Sequence, residues 1–200
     1  MDSRSHGVSD PGANVLYDSR PDLTEDDYAL GFTKRIHKDL LAVFAAVGEG
    51  KAYLRDRGYF ATADDYAANK NSNLFIEWHT NSGGGTGVEV LYRTERSEKL
   101  AKMMAAAGSK ALGLKNRGAK FRNDLAVLHE HPGMDSVLGE RWFGDTSKDV
   151  HAYLANKPSE ELAYLNCVLT WIGWPTVMHL PRTWNAGQSA NYKMRWEAAK

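Results

Sequence analysis

The stretch from Asn73 to Asn81 constrains the fold of this chain more than any other part of its sequence. Three consecutive apolar residues, Leu74 to Ile76, lie between polar neighbours, and glycines at positions 83–85 follow closely. An apolar run that ends so soon is typical of a buried strand in an α/β sheet and not of a helix. The sequence therefore predicts a buried strand with His79 at its carboxyl end.

The position of His79 gives it two interpretations. In open α/β sheets, ligands and reacting groups collect at the carboxyl ends of the strands. The residue is either a structural histidine with satisfied hydrogen bonds or a functional group. The choice depends on which polar residues the rest of the chain brings to the same edge.

Composition and charge limit the fold and the partners. A chain of 200 residues suits one domain, whose core needs neither metal nor disulfide. Lys plus Arg and Asp plus Glu number 25 each, so net charge does not indicate a nucleic-acid partner. Cys167 is the only cysteine, which excludes an intrachain disulfide. No apolar run approaches the ~18 residues of a membrane span and no secretory signal is visible, so we expect folding in a reducing cytoplasm.

Helix and strand patterns alternate along the chain. Apolar residues recur at helical spacing over residues 24–48, 97–111 and 160–172, whereas residues 87–92 alternate as a strand does. Further helices are predicted at residues 62–69 and 148–154, and further strands at residues 53–54, 125–128 and 137–138. The alternation predicts an α/β fold, a single domain with a twisted, mostly parallel central sheet and helices on both faces.

Three polar residues near the ends of predicted elements form a candidate metal site. His6 lies in a loop with a turn at residues 10–12, and Glu25 lies in the first turn of the first long helix. Zinc hydrolases commonly use two histidines and one glutamate, which leaves a position for water. His6, Glu25 and His79 supply these residue types. The alternatives are a flexible tail for His6 and, for Glu25, a surface acid that complements the helix dipole.

Six segments together carry a resemblance to a known family. In chain order they are residues 6–13 with His6, Glu25 at the head of the first long helix, residues 75–81 with His79, residues 87–92, residues 113–120 with 124–128, and residues 137–145 with Glu140. They resemble the zinc-dependent N-acetylmuramoyl-L-alanine amidases of the third amidase class, which occur in bacterial autolysins and phage endolysins. The resemblance covers about residues 1–174.

The resemblance implies a site and a reaction. One Zn²⁺ per chain would be bound by His6, Glu25 and His79, and Glu140 would act as the general base that activates water. The bond cleaved would be the amide between N-acetylmuramic acid and the L-alanine of the stem peptide. The expected partner is therefore peptidoglycan, and we expect the protein to act as a monomer.

Residues expected to contact the substrate lie in later segments. They are Asn81, Arg117, Lys120, Arg122 and His129. The basic ones belong to residues 101–123, which contain six Lys or Arg and no acid, so this stretch is either a patch for substrate carboxylates or a solvated face. His129 and His131 would share a face of an extended segment and, with Glu130, form a rival metal site, although the resemblance gives them no ligand role.

The sequence departs from the family pattern close to the implied centre. Glu77 stands where the family has a small residue, and Trp78 where it has an aliphatic one. Arg141 is unusual beside Glu140. The residues before His6 are polar, whereas the family has an apolar strand there.

Other functions and roles stay open. A non-catalytic wall-binding module descended from an amidase would need no general base, so the presence of Glu140 favours an enzyme. A zinc carboxypeptidase that acts on free peptides has no support from residues 113–120. A phage endolysin, made in the host cytoplasm and released to the wall, fits the absence of a visible signal, and a trimmed extracytoplasmic autolysin is the alternative.

Residues 175–200 form an aromatic and basic extension beyond the resemblance. This segment is too short for an independent wall-binding domain. Tyr192 and Trp196 are four residues apart and would lie on one face of a terminal helix. The extension is either a brace packed on the domain of residues 1–174 or a tail whose basic residues contact anionic wall polymer.

Overall fold

The computed structural model describes residues 2–4, 24–55, 67–128 and 131–200, which contain six strands, four long helices and a helical stretch at residues 67–69. The rest of the helix predicted at residues 62–69 lies outside the described residues. The strands are β1 (Asp2–Arg4), β2 (Leu54–Arg55), β3 (Leu74–Asn81), β4 (Val88–Tyr92), β5 (Asn116–Phe121) and β6 (Asp135–Phe143). The helices are α1 (Glu25–Val47), α2 (Glu95–Leu112), α3 (Ser147–Trp171) and α4 (Ala186–Ala198), with short 3-10 turns at Ala126–Leu128 and Pro181–Thr183. None of the described helices has both the length and the apolar character needed to cross a membrane.

The strands form one mixed sheet in the order β2-β1-β3-β6-β4-β5. Strands β2, β1, β3 and β6 are mutually parallel, while β4 and β5 are parallel to each other and antiparallel to β6. The carboxyl ends of β3 and β6 therefore lie side by side, with His79 directly opposite Glu140. The predicted α/β fold with a mostly parallel sheet is confirmed.

Alternation along the strands divides the core between the two faces of the sheet. On one face, α1, α2 and α3 bury the residues of the largest cluster, to which the sheet contributes Ile76, Trp78, Val90 and Val137. On the other face, Phe75, Leu91 and Leu138 pack with Ala67 and with Val127 and Leu128 of the first 3-10 turn. Helical segments thus cover both faces, and the three long helices share one of them.

Helix α1 begins and ends where the sequence predicts. The carboxylate of Asp27 accepts hydrogen bonds from the backbone N–H of Thr24 at 2.9 Å and from its hydroxyl at 3.0 Å. At the other end Gly48 has φ 77°, a left-handed conformation that suits glycine, and its N–H donates to Phe44 O. Glu25 is therefore fixed as the first residue of the helix.

Two local predictions need correction. Residues 125–128 were predicted as a strand, but Ala126–Leu128 form a 3-10 turn. A four-residue apolar run has too little length for its periodicity to distinguish the two. The helix predicted from residue 97 begins at Glu95, with Thr94 as its cap, whose hydroxyl accepts the N–H of Ser97 at 3.1 Å.

The two helices predicted at residues 148–154 and 160–172 are parts of the single helix α3. The backbone leaves helical geometry at Asn156 (φ −123°, ψ 16°), two residues before Pro158. Proline has no N–H to donate and its ring clashes with the preceding turn, which explains the kink. The helix resumes beyond it.

Candidate active site

His79 and Glu25 meet at the carboxyl end of β3. Nδ1 of His79 lies 3.2 Å from Oε1 of Glu25, and the backbone N–H of Thr80 donates to the same oxygen at 3.0 Å. Glu25 is only 4% exposed. It is therefore not a surface acid at a helix end, because its carboxylate turns from the start of α1 onto the neighbouring strand.

Glu140 completes this group from β6. It is the strand partner of His79 in a parallel register, so the two side chains project from the same face of the sheet. Its side chain is partly exposed, whereas the residues on either side of it in β6 are buried. A partly exposed glutamate beside an imidazole that is 13% exposed and a buried carboxylate is suited to proton transfer.

Glu77 is a further carboxylate at this centre, and we did not assign it to the site from the sequence. It precedes His79 by two positions in β3 and is fully buried. Its Oε1 lies 3.5 Å from Nε2 of His79, on the opposite side of the ring from Glu25. The sequence could have indicated this position, because Glu77 and His79 are two residues apart in a predicted strand and therefore share a face.

The charges around His79 favour its cationic form. Burial of the ring lowers the pKa of His79, but hydrogen bonding with Glu25, the close contact with Glu77 at 3.5 Å and the negative charges of Glu140 and Glu77 outweigh burial and raise the pKa to about 10. At neutral pH the ring is protonated when no metal is bound. A metal ion that binds a ring nitrogen of His79 must therefore displace the proton on that nitrogen.

The donor set fits a zinc ion. Glu25 and His79 supply a carboxylate oxygen and an imidazole nitrogen, both common zinc ligands. Three carboxylates around one imidazole leave an excess of negative charge that a divalent cation would balance. The described residues contain no ready-made group of three His, Cys, Asp or Glu ligands. The third predicted ligand, His6, lies outside the described residues.

Two of the predicted substrate-binding residues, Asn81 and Arg117, both bond to Glu89, a residue that we did not predict for the site. Glu89 in β4 is the strand partner of Glu140. Its carboxylate accepts the amide N–H of Asn81 at 2.9 Å and the Nε–H of Arg117 at 2.7 Å. The guanidinium carbon of Arg117 lies 5.0 Å from the ring centre of Phe143. Glu89 thus orients both side chains at the edge where His79 and Glu140 lie.

The remaining predicted contact residues lie farther along β5 and beyond. Lys120 is exposed, and Arg122 forms two hydrogen bonds with Asp124, at 2.7 and 2.9 Å, which lower the pKa of Asp124 to about 2. His129 and Glu130 lie outside the described residues. His131 lies before the start of β6 at Asp135, whereas Glu140 lies toward the other end of that strand.

Two aspartates fasten the loop that follows β3. Asp145 accepts the N–H groups of Gly83 and Gly84 at 2.6 and 2.9 Å. Asp149, which is fully buried, accepts the N–H of Gly87 at 2.8 Å and that of Phe143 at 3.1 Å. These bonds hold the loop after Asn81 against the end of β6.

Sequence comparison identifies the family. A protein-family model described as N-acetylmuramoyl-L-alanine amidase matches residues 3–166. An uncharacterised protein of Clostridium perfringens is 33% identical over 99 residues, which are 46% of this chain and 29% of the relative. The chain thus spans less than a third of the length of that curated relative.

Solved structures share the fold. The catalytic domain of CwlV, an N-acetylmuramoyl-L-alanine amidase from Bacillus (Paenibacillus) polymyxa, is 21% identical with a TM-score of 0.71, and the match covers 86% of this chain and 96% of that one. The amidase AmiC2 of Nostoc punctiforme is 24% identical with a TM-score of 0.69, over 86% and 95% of the two chains. The catalytic domain of the CD27L endolysin, which targets Clostridium difficile, is 22% identical with a TM-score of 0.60, over 86% and 94%. The fold agrees with the family match over most of the sequence, and the chain belongs to the N-acetylmuramoyl-L-alanine amidase family.

Proposed function

We propose that this protein is a zinc-dependent peptidoglycan hydrolase that cleaves the amide between N-acetylmuramic acid and the L-alanine of the stem peptide. The observation that supports this most is the convergence of Glu25, His79 and Glu140 at the carboxyl ends of β3 and β6. The family match adds the reaction class.

The side chains would divide the work as follows. His6, Glu25 and His79 would hold Zn²⁺, which would supply Lewis acidity to polarise the scissile carbonyl and make water a better nucleophile. Glu140 takes a proton from the attacking water and passes it to the leaving amine of L-alanine. Glu140 is partly exposed, although its Oε2 is buried.

Substrate binding would fall to residues on the same edge. Arg117 is held by Glu89 through its Nε–H, and one third of its side chain is exposed. We propose that its outer guanidinium nitrogens bind a stem-peptide carboxylate, with Asn81 as a neighbouring amide donor. Lys120 and Arg122 would add longer-range attraction, and His129 stays a proposed substrate-contact residue on the sequence prediction alone.

The test combines metal analysis with digestion of purified peptidoglycan. We expect one zinc per wild-type chain and release of new L-alanine amino termini. Glu140→Gln should keep fold and zinc but lose hydrolysis by about 10²-fold or more, because it removes the general base. His79→Ala should lose zinc and hydrolysis together. Glu49→Gln, an exposed position beyond the far end of α1, is the control for loss of a carboxylate.

Contrary results have distinct meanings. Near-normal turnover in folded Glu140→Gln would remove Glu140 from the mechanism. Full zinc retention in His79→Ala would reject the metal assignment and turn attention to His129 and His131. A wild-type protein that binds walls and releases no amino termini would be the non-catalytic wall-binding module.

We further propose that the enzyme serves as a phage endolysin in host lysis, the role expected from the sequence, with a cell's own autolysin as the alternative. An endolysin made in the cytoplasm should leave the cells intact until their membrane is permeabilised, and lysis should then follow at once. Wall degradation in cells whose membranes stay intact would favour an exported autolysin.

A further inference from the structure

The imidazole of His79 is held between two buried carboxylates, one at each ring nitrogen. Oε1 of Glu25 lies 3.2 Å from Nδ1, and Oε1 of Glu77 lies 3.5 Å from Nε2. The two carboxylates come from different elements, since Glu25 begins α1 and Glu77 lies in the same strand as His79. The ring therefore meets each of them with a defined nitrogen.

This arrangement decides which nitrogen can face a metal. A neutral imidazole has one N–H and one lone pair, and the hydrogen bond made by one nitrogen fixes the role of the other. If Glu25 and His79 bind the same ion, the nitrogen beside Glu25 must carry the lone pair. Nδ1 is then the ligand atom, and Nε2 carries the hydrogen that points to Glu77.

The burial of Glu77 indicates a role beyond packing. Its side chain is fully buried, and burying a carboxylate costs several kcal/mol unless charge and hydrogen bonding offset the loss of water. An uncharged residue of similar size would fill the same space without that cost. The imidazole N–H and the cation of the centre are groups that would offset it.

We propose that Glu77 is a positioning residue, which accepts the Nε2–H of His79, fixes the ring with Nδ1 directed toward Glu25 and the metal, and strengthens zinc binding. The inference rests on the proposed zinc-dependent function and deepens it. Carboxylate–histidine–metal arrangements of this kind raise the basicity of the ligand nitrogen and restrict its orientation. The unusual residue at position 77 thereby gains a function in the centre.

Zinc affinity gives the first test, measured by competition with a chromophoric chelator. Glu77→Ala should weaken binding by about 10–100-fold, the range found for loss of such partners. Glu77→Gln, which keeps an oxygen acceptor but loses the charge, should fall between wild type and Glu77→Ala. Glu161→Gln is the matched control, because Glu161 is 2% exposed and contacts Arg35 and Arg182. It should lower the melting temperature without changing zinc affinity.

A second test uses only the wild-type protein, so that poor folding of a variant cannot hide the answer. Protein labelled with ¹⁵N-histidine is loaded with zinc, and the His79 signals are identified by their loss in His79→Gln. The proposal expects a metal-bound Nδ1 and a protonated Nε2 that is protected from exchange with solvent.

Two results would overturn the inference while leaving the proposed function in place. One is a Glu77→Ala protein that binds zinc within about twofold of wild type, well below the effect of a lost carboxylate partner. The other is a metal-bound Nε2, which has no hydrogen to donate to Glu77. Failure of the proposed function itself looks different, because the wild-type protein would then bind no stoichiometric zinc.

Discussion

Arg141 departs from the family pattern, but its side chain does not enter the adjacent candidate site. It follows Glu140 in β6, and successive strand residues project to opposite faces. Glu140 points to the candidate site, whereas Arg141 is fully buried on the helix side and bonds to Glu160 at 3.2 and 3.3 Å. Its guanidinium carbon lies 3.8 Å from the ring centre of Phe32. Arg141 therefore joins β6 to α3 and α1.

This buried ion pair predicts strongly non-additive stability effects. Arg141→Met should lower the free energy of unfolding by about 3–5 kcal/mol, because Glu160 stays buried without its counter-charge. The double variant Arg141→Met, Glu160→Met should recover most of that loss. Urea denaturation measures all three proteins. Lys102→Met, which breaks the exposed pair with Glu98, is the control and should change stability by less than about 1 kcal/mol.

If the ion pair causes the loss of stability, the double variant must lose less than the sum of the two single variants. If its loss equals the sum of the two single losses, the pair has no coupling and the residues act through packing alone. Zinc binding should be unchanged throughout, since Arg141 faces away from His79.

At the scale of elements, Asp149 at the start of α3 joins the loop between β3 and β4 to the end of β6. Its carboxylate accepts hydrogen bonds from the N–H groups of Gly87 and Phe143 and from the hydroxyl of Thr86. Gly85 lies in the same loop, and a Cβ there would come within 2.4 Å of the ring of Phe143. The loop thus packs so closely against the end of β6 that position 85 has no room for a side chain.

Asp149→Ala should therefore be far more damaging than Asp145→Ala. Asp149 is fully buried, so its loss leaves several buried donors unsatisfied, and we expect a cost on the order of 3–5 kcal/mol. Asp145 bonds to Gly83 and Gly84 in the exposed part of the loop, where water can replace it, and its loss should cost about 1 kcal/mol or less.

Thermal denaturation and amide hydrogen exchange measure the difference between these two variants. In Asp149→Ala the amides of Gly87 and Phe143 should lose protection, and in Asp145→Ala they should keep it. Equal destabilisation by the two substitutions would contradict the role given to burial.

The elements predicted from the sequence are those with a clear apolar pattern. Helices α1 and α2 and strands β3, β4 and β6 bury regular apolar positions, so their periodicity was readable. Strand β5 was not predicted, because Asn116–Phe121 forms an edge strand without a buried residue and carries no alternating apolar signal. A strand that buries neither of its faces has no alternation of apolar and polar residues for a sequence pattern to detect.

The sequence predicts the residues of the candidate site, which stay a prediction in their roles, and it predicts their geometry only in part. His79, Glu25 and Glu140 came from the resemblance, and the structure brings these three together. Their proximity depends on β6 lying beside β3 although β4 and β5 intervene in sequence, and local patterns do not encode that strand order. Glu77 and Glu89 were not assigned to the site, because a charged residue within a strand pattern reads first as a solvent-facing position.

At the scale of the whole molecule, residues 175–200 are joined to the rest by packing and by charge. Tyr192 and Trp196 are 2% and 7% exposed within the main core cluster, so the predicted common face of the terminal helix is buried. Arg182 donates to Asp39 of α1 through its backbone at 2.8 Å and its side chain at 2.6 Å, and it also bonds to Glu161 of α3. These contacts support the brace interpretation of the extension.

A truncation ending at Gly173 tests the brace against the wall-binding tail. Loss of two buried aromatic rings should lower the free energy of unfolding by on the order of 3–6 kcal/mol. The melting temperature should fall at every salt concentration, since apolar burial is not screened by salt as charge attraction is. Lys193→Ala, on the exposed face of α4, should change neither melting nor sedimentation with purified walls. A truncated protein that melts normally but binds walls more weakly at low salt, with the difference fading as salt rises, would reject the brace and establish the tail as a wall contact.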